Sequence, residues 1–210
     1  MPDLIFAFGA VRDNAQRIID CRTLGYLSHD QRILDPTWGE GKFWTKWDPL
    51  PPRLVACDLN PAKSPIGYPI DFTCMPFSDH EFDAITFDPP YQLNGTSTGK
   101  GSSAKDAQYG VDQYMPVAAR HELIRHGMSE CWRVLAPGGI LLVKCQDQVA
   151  SGRKHWQTDM FTAHAEKLGG RKVDELYVEG YRDQPQGTSQ KHSRQDFSAL
   201  LVIRKPKTRR

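Results

Sequence analysis

Apolar residues fall into seven short runs along this chain, and the stretches between them carry helical spacing or turn residues. Ile33-Leu34 is the first run and ends in Asp35-Pro36 and a glycine turn. Residues 53–61 give a second that stops at Asp58, and residues 68–77 a third, shorter one near Ile70 and Asp71. Residues 81–91 give a fourth that ends at Asp88. Residues 138–145 read as the strongest buried strand, and 171–180 and 197–205 as the last two. Helical patterns occupy 12–27, 114–135 (closed by Pro137-Gly138-Gly139) and 158–170. The first strands are continuous apolar runs without two-residue alternation, as strands buried on both faces read. Strands alternating with helices predict a three-layer α/β domain with a mostly parallel sheet. The last two strands, joined by the polar segment 181–196, are placed to pair antiparallel.

Four of these runs end in an acid: Asp35, Asp58, Asp71 and Asp88. Ligands of open α/β sheets bind beyond the carboxyl ends of the strands, so the four carboxylates would share one edge. Like charges gathered there repel unless each has a partner, which makes the series hard to explain as a stability device. Gly39-Glu40-Gly41 follows the first strand, where a backbone without Cβ can turn tightly and approach a ligand. Asp58 comes 19 residues after Gly39, the spacing of an acid that accepts hydrogen bonds from ribose hydroxyls. Phe43 and Trp44 stand where a dinucleotide fingerprint would have its third glycine. This disfavours a nicotinamide dinucleotide and admits an adenosine ligand without pyrophosphate.

Asp88-Pro89-Pro90-Tyr91 is the most specific feature. Two prolines fix the backbone and remove two N–H donors. The carbonyls of Asp88 and Pro89 are then expected to point, unpaired, into a pocket. A carboxylate and a carbonyl together can hold both hydrogens of an exocyclic amine, and Tyr91 offers a face for a base to stack on. The plain alternative is a proline-stiffened turn with a buried Tyr. Its place at the end of an acidic strand favours the chemical reading.

Taken together, these segments resemble a class I S-adenosylmethionine-dependent amino-methyltransferase, of the family that includes DNA adenine and cytosine amino-methyltransferases. The resemblance covers most of the chain. Asp35-Pro36-Thr37-Trp38-Gly39-Glu40-Gly41 resembles the family's cofactor loop, and Asp58, with Leu59, its ribose-binding acid. Asp71-Phe72 falls where the family contacts the cofactor adenine, and Asp88, Pro89, Pro90 and Tyr91 match the catalytic motif, with Asp88 also beside the cofactor. Residues 133–139 are similar to a structural signature of the family, whereas Trp38 departs from the small residue or Cys usual there. The resemblance implies a Rossmann-like sheet of seven strands with the last antiparallel, and S-adenosyl-L-methionine as cofactor. It also implies direct methyl transfer to an exocyclic nitrogen, with a duplex substrate flipping its base. Asp at the head of the turn, and a cofactor loop preceding it, favour adenine N6 in DNA. Guanine N2 in RNA and cytosine N4 in DNA are the alternatives. A non-enzymatic nucleic-acid-binding module is disfavoured by the intact Gly39, Gly41, Asp58 and Asp88. Methylation at carbon five of cytosine needs a Cys nucleophile, and Cys145, in Lys144-Cys145-Gln146, lacks the preceding Pro.

Charge adds a direction. The net value of +2 hides a basic end: residues 181–210 hold eight Lys and Arg against Asp183 and Asp196, so this part is +6 and the first 180 residues −4. Two polar loops, 92–113 and 181–196, are expected to read the substrate. Lys100 in the first and Arg182, His192 and Arg194 in the second are candidate contacts to phosphates or base edges. Lys205 to Arg210 reads as a solvated tail, and Trp44, Trp47, Trp132 and Trp156 as core or surface packing rather than base platforms. At 210 residues, a single methyltransferase domain uses nearly the whole length. A separate recognition domain is not expected, so target reading would be brief or shared with a second copy or a partner subunit. Five cysteines, an odd count without Cys-x-x-Cys spacing, argue against a zinc site or a disulfide framework. Reduced thiols, the absence of a secretory pattern and the lack of a membrane-length apolar run point to the cytoplasm.

Overall fold

A computed structural model describes residues 11–93, 115–180 and 191–208. Helix α1 (Asn14–Thr23) leads to β1 (Ile33–Asp35), a 3-10 turn at Lys42–Trp44, β2 (Leu54–Ala56) and β3 (Phe82–Phe87). Helix α2 (Val117–Val134) runs directly into β4 (Leu135–Cys145). A hairpin of β5 (Gln148–Ala150) and β6 (Arg153–His155) follows, then α3 (Gln157–Lys167), β7 (Arg171–Glu179) and β8 (Phe197–Arg204). The main sheet has the order β2-β1-β3-β4-β8-β7. Pairing is parallel from β2 to β4, and β8 runs antiparallel to both β4 and β7.

Period-two alternation in the central strands feeds two cores. Ile85 and Phe87 of β3, Leu141 and Val143 of β4 and Leu201 of β8 face α2 and α3, meeting Ile124, Met128, Cys131 and Phe161. Their neighbours Ala84, Ile140, Leu142, Leu200 and Val202 face the other way, onto Ile18 and Cys21 of α1 and onto Trp44 and Trp47. A sheet covered on both faces is the three-layer arrangement expected, and each large side chain fully withdrawn from water contributes roughly 1.5–3 kcal/mol.

Among the described residues six strands form this sheet, where seven are expected. Residues 68–77 make turns instead of the expected third strand. Pro69 and Pro76 each lack a ladder donor. Between them Asp71 accepts hydrogen bonds from the Thr73 amide (2.8 Å) and hydroxyl (2.7 Å), closing a local turn that competes with pairing. Pro137-Gly138-Gly139 does not close a helix; it lies inside β4, where the register with β3 shifts. A Cβ at Gly139 would stand 2.7 Å from the Asp83 carbonyl, so only glycine admits that approach. Helix α1 is shorter than the 12–27 pattern, starting at Asn14 behind the Asp13 cap and ending at Thr23. Cys21, Cys57, Cys131 and Cys145 are buried and Cys74 is exposed; burial pushes the Cys21 and Cys57 thiols up to about 12. Among the described residues no helix is long and apolar enough to cross a membrane.

Candidate active site

The carboxyl ends of β1, β2 and β3 open onto a cavity of about 290 Å³. Asp35, Pro36, Thr37 and Gly39 line it from the loop after β1, and Asp58 and Leu59 from the end of β2. Asp71 and Phe72 reach the same cavity without a strand to carry them, because the Ile70 amide bonds to the Asp58 carbonyl at 3.0 Å. Phe72 is held from below: its ring meets Phe87 edge-on at 5.2 Å, and Gly127 of α2 leaves it room that a Cβ, 2.6 Å from the ring, would fill. Asp88 and Pro90 close the far side with Gln92.

The acids do not play equal parts. Asp58 accepts the Gly39 amide on one oxygen and the Asn60 amide on the other, both at 2.8 Å, which ties the glycine loop to the end of β2. Each carboxylate oxygen has a second lone pair, so Asp58 can still accept from a diol. Asp35 is 3% exposed and fully engaged: Oδ1 takes the Thr37 amide at 3.0 Å and Oδ2 takes the Trp44 indole N–H at 2.7 Å. It braces the loop. Burial, reinforced by the nearby Asp88, pushes its carboxyl up to about 7 against the pull of those donors. Gly41 does not line the cavity. It adopts φ +66°, and a Cβ there would stand 2.5 Å from the Trp38 ring. The glycine accommodates the indole, which itself lines the cavity.

The turn after β3 is held from several sides. The Asp88 amide donates to the Thr37 hydroxyl at 2.8 Å, linking the turn to the glycine loop. The Pro89 carbonyl is not unpaired as expected; it accepts the Tyr91 amide at 2.6 Å. A fixed φ at Pro90 suits such a three-residue turn, and one carbonyl lone pair remains. Arg120 of α2 donates to the Pro90 carbonyl at 3.2 Å, and Gln148 and Gln157 both donate to the Tyr91 carbonyl, at 2.9 and 2.8 Å. Tyr91 is half-buried against the α2 side of the core and is not among the cavity walls. Asp88 Oδ1 is different: it is buried and has no hydrogen-bond partner among the described residues.

The nearest compensating charge comes from a residue that local sequence reading passed over. Lys144, 2% exposed near the end of β4, donates to Asn14 Oδ1 and lies 5.5 Å from the centre of the Phe43 ring. Burial raises Asp88 above the usual carboxylate range, and the Lys144 ammonium pulls it back. The same exchange acts on Lys144, lowered by burial and lifted by Asp88. A lysine inside an otherwise apolar strand was the available signal. Gln148, Gln157 and Arg120 carried none.

Of the candidate substrate contacts, His192 and Arg194 are exposed and away from the cavity walls. Lys100 and Arg182, with most of the loops 92–113 and 181–196, lie outside the described residues. Among the described residues no three His, Cys, Asp or Glu side chains gather as a metal site.

No protein-family model matches the chain, and no curated protein matches its sequence. Its fold is that of solved structures. A Bacillus halodurans protein, provisionally assigned as a methyltransferase, superposes with a TM-score of 0.59 at 14% identity, covering 90% of this chain and 98% of its own. The cyclase SpnF superposes with a TM-score of 0.56 at 15% identity, covering 92% and 81%. A Thermus thermophilus protein, provisionally assigned as a DNA modification methylase and also solved with S-adenosyl-L-methionine, gives a TM-score of 0.43 at 16% identity over 64% of this chain. This chain spans 50% of the length of that protein. At such identities the likeness establishes a Rossmann-like methyltransferase fold, and the chemistry has to be argued from the site.

Proposed function

We propose that this chain is an S-adenosylmethionine-dependent methyltransferase acting on an exocyclic amine of a nucleic-acid base, adenine N6 in DNA, by direct transfer to a base turned out of its stack. The observation that carries the proposal is Asp88 Oδ1, a buried acceptor without a partner among the described residues, beside a cavity whose other wall bears Asp58 and Gly39. A buried polar atom left unpaired costs about 1–3 kcal/mol, so a ligand that donates to it regains that amount.

The residues present suit the cofactor. Asp58 retains acceptor capacity for ribose hydroxyls, Asp71 and Phe72 offer an edge and a face to adenine, and Gly39 keeps the loop backbone close. When bound, S-adenosylmethionine supplies an electrophilic methyl group. The protein's part is to orient the amine. Asp88 Oδ1 accepts one N–H, and the remaining lone pair of the Pro89 carbonyl can take the other. Holding both hydrogens turns the nitrogen lone pair out of the ring plane, and most of the gain is positioning. The nitrogen sheds a proton once it is methylated. Burial has raised the proton affinity of Asp88, so the same oxygen can receive it. Tyr91 is the proposed stacking partner of the base, and recognition is shared with a second copy or a partner subunit.

The test is incubation of the protein with methyl-labelled cofactor and a mixture of DNA and RNA, followed by nucleoside mass spectrometry. N6-methyl-2′-deoxyadenosine from the DNA fraction is the expected product. Asp88→Ala should abolish transfer while cofactor binding persists, and Asp58→Ala should weaken cofactor binding. Label on guanine N2 of RNA would replace the target. Full transfer by Asp88→Ala would overturn the assignment.

A further inference from the structure

The β5–β6 hairpin forms a two-stranded sheet of its own among the described residues, and both of its ends are fastened to the turn after β3. Gln148 opens β5 and bonds to both the Tyr91 carbonyl and the Leu93 amide, at 2.9 and 3.0 Å. Gln157, two residues beyond β6, bonds to the same Tyr91 carbonyl. The loop between the strands is the two-residue Ser151-Gly152, with φ +49° and +73°, a tight turn that matches the twist of the pair. The hairpin is therefore a short, stiff projection beside the candidate site.

Its side chains are basic and aromatic. Arg153 is exposed, Lys154 Nζ lies 5.0 Å from the centre of the Trp156 ring, and Trp156 is 53% exposed at the end of the hairpin. This indole packs at the surface against Lys154 and leaves much of its ring open to solvent. Lys154 also donates to the Ser193 carbonyl at 3.2 Å, which joins the hairpin to residues 191–196, and Gln146 Nε2 ties the Gln195 carbonyl to the end of β4 at 3.1 Å. The joined surface, residues 151–156 and 191–196, holds Arg153, Lys154, Lys191 and Arg194 against one acid, Asp196. Asp159, exposed in the first turn of α3, is the next acid along the chain. A lone exposed aromatic needs no explanation. One set among four cations, on a rigid support fastened to the catalytic turn, has the composition of a single-strand binding surface, where cations follow phosphates and a ring stacks on a base.

We propose that this surface grips the DNA strand next to the base in the site, with Trp156 stacking on a neighbouring base and Arg153 and Arg194 on its phosphates. The proposal rests on the nucleic-acid reading of the site. It is tested by fluorescence anisotropy of a fluorescein-labelled 20-nucleotide single-stranded DNA, its duplex and the RNA of the same sequence, across a salt series. Trp156→Ala should weaken single-stranded DNA binding about 5- to 150-fold, and Trp156→Phe should restore much of it. The double variant Arg153→Gln/Arg194→Gln should lower the slope of log affinity against log salt by about 1.4, roughly 0.7 for each phosphate no longer neutralised. Lys167→Gln, at the far end of α3, should leave the slope unchanged. Calorimetric affinity for S-adenosylmethionine and the melting temperature should match the wild type in all of these, which separates lost grip from lost fold. Unchanged affinity and slope in both hairpin variants, with the wild type still methylating DNA, would overturn the grip and leave the proposed function standing. Wild-type protein that binds cofactor but none of the three nucleic acids would overturn both. Preference for the RNA probe would overturn DNA as the occupant.

Discussion

Replacing Gly41 by Ala probes the seat of Trp38, a residue at which this chain departs from the cofactor loop it resembles. Gly41 has φ +66° and ψ 20°, a left-handed conformation that costs an L residue about 1–2 kcal/mol. The added Cβ would also stand 2.5 Å from Cζ2 and 2.9 Å from Cε2 of Trp38, well inside contact distance. Moving a packed indole to make room costs a further ~1–3 kcal/mol. Gly39→Ala is the internal comparison: φ is +57°, and beyond its chain neighbours the nearest atom is 4.0 Å away, so strain alone applies. Gly39→Ala should therefore lose about 1–2 kcal/mol and Gly41→Ala about 2–5 kcal/mol in urea unfolding. For a domain of this size each kcal/mol is about 2–4 °C in Tm. Trp38 lines the cavity, so its displacement should also weaken S-adenosylmethionine about tenfold by calorimetry, a shift of ~1.4 kcal/mol. Combining Gly41→Ala with Trp38→Ala removes the clash and keeps the strain, so a double-mutant cycle should return about 1–3 kcal/mol of coupling. Additive losses within about 0.5 kcal/mol, with cofactor affinity intact in Gly41→Ala, would refute the claim that this glycine exists to seat the indole.

Thr37→Val keeps the shape of the side chain but removes the acceptor of the Asp88 amide at 2.8 Å. It should cost about 1–3 kcal/mol in urea unfolding and lower kcat, with Thr37→Ser restoring both. His121 gives a pH signature: burial is the main cause that holds its imidazole down at about 4, so it is neutral in the fold and charges on unfolding. Its folded pKa lies below the unfolded 6.5, so its contribution is complete above pH 6.5 and lost as the pH falls through about 4. The slope of unfolding free energy against pH in that window should flatten in His121→Leu, by up to one proton's worth, when followed by denaturant melts; an unchanged slope would contradict the burial assignment.

Much of the site was legible because its parts are local. A glycine pair after one strand, an acid 19 residues on at the end of the next and a double proline after an acid are short-range patterns, and the cavity collects Gly39, Asp58, Asp88 and Pro90 from them while Gly41, Pro89 and Tyr91 stay outside its walls. The failures have a common physical origin. Residues 68–77 look apolar enough for a strand, but Pro69, Pro76 and the Asp71 turn remove the donors that pairing needs. The hairpin strands are three residues each and carry no alternation, so only Ser151-Gly152 could have marked them. Gln148 and Gln157 matter for what they bond to, 57 and 66 residues away from Tyr91, and an amide in a sequence does not announce its partner. Lys144 is the instructive case. Its place in an apolar run was visible, but the Asn14 oxygen that receives it comes from a helix 130 residues earlier.

A fold that also serves the cyclase SpnF cannot by itself specify methyl transfer, so the difference has to lie in how the strand-end acids are used. Three carboxylates stand at the ends of β1, β2 and β3, and two of them are committed. Asp35 uses both oxygens to brace its own loop, and Asp58 places one backbone amide on each oxygen. Such donors hold a carboxylate rigidly in place, as bracing a loop or receiving a neutral diol requires. Asp88 differs in its donors: one buried oxygen has none among the described residues, burial raises its proton affinity, and one buried ammonium, Lys144, keeps the charged form accessible. Asp35 is pushed up as well, to about 7, but donors occupy both of its oxygens, so among these three acids Asp88 is the one with an oxygen that meets no donor among the described residues and can receive a proton. In the proposed reaction the same edge holds a cofactor and accepts a proton without the two tasks competing, because hydrogen bonds occupy both oxygens of two of its acids and leave one oxygen of the third without a donor among the described residues.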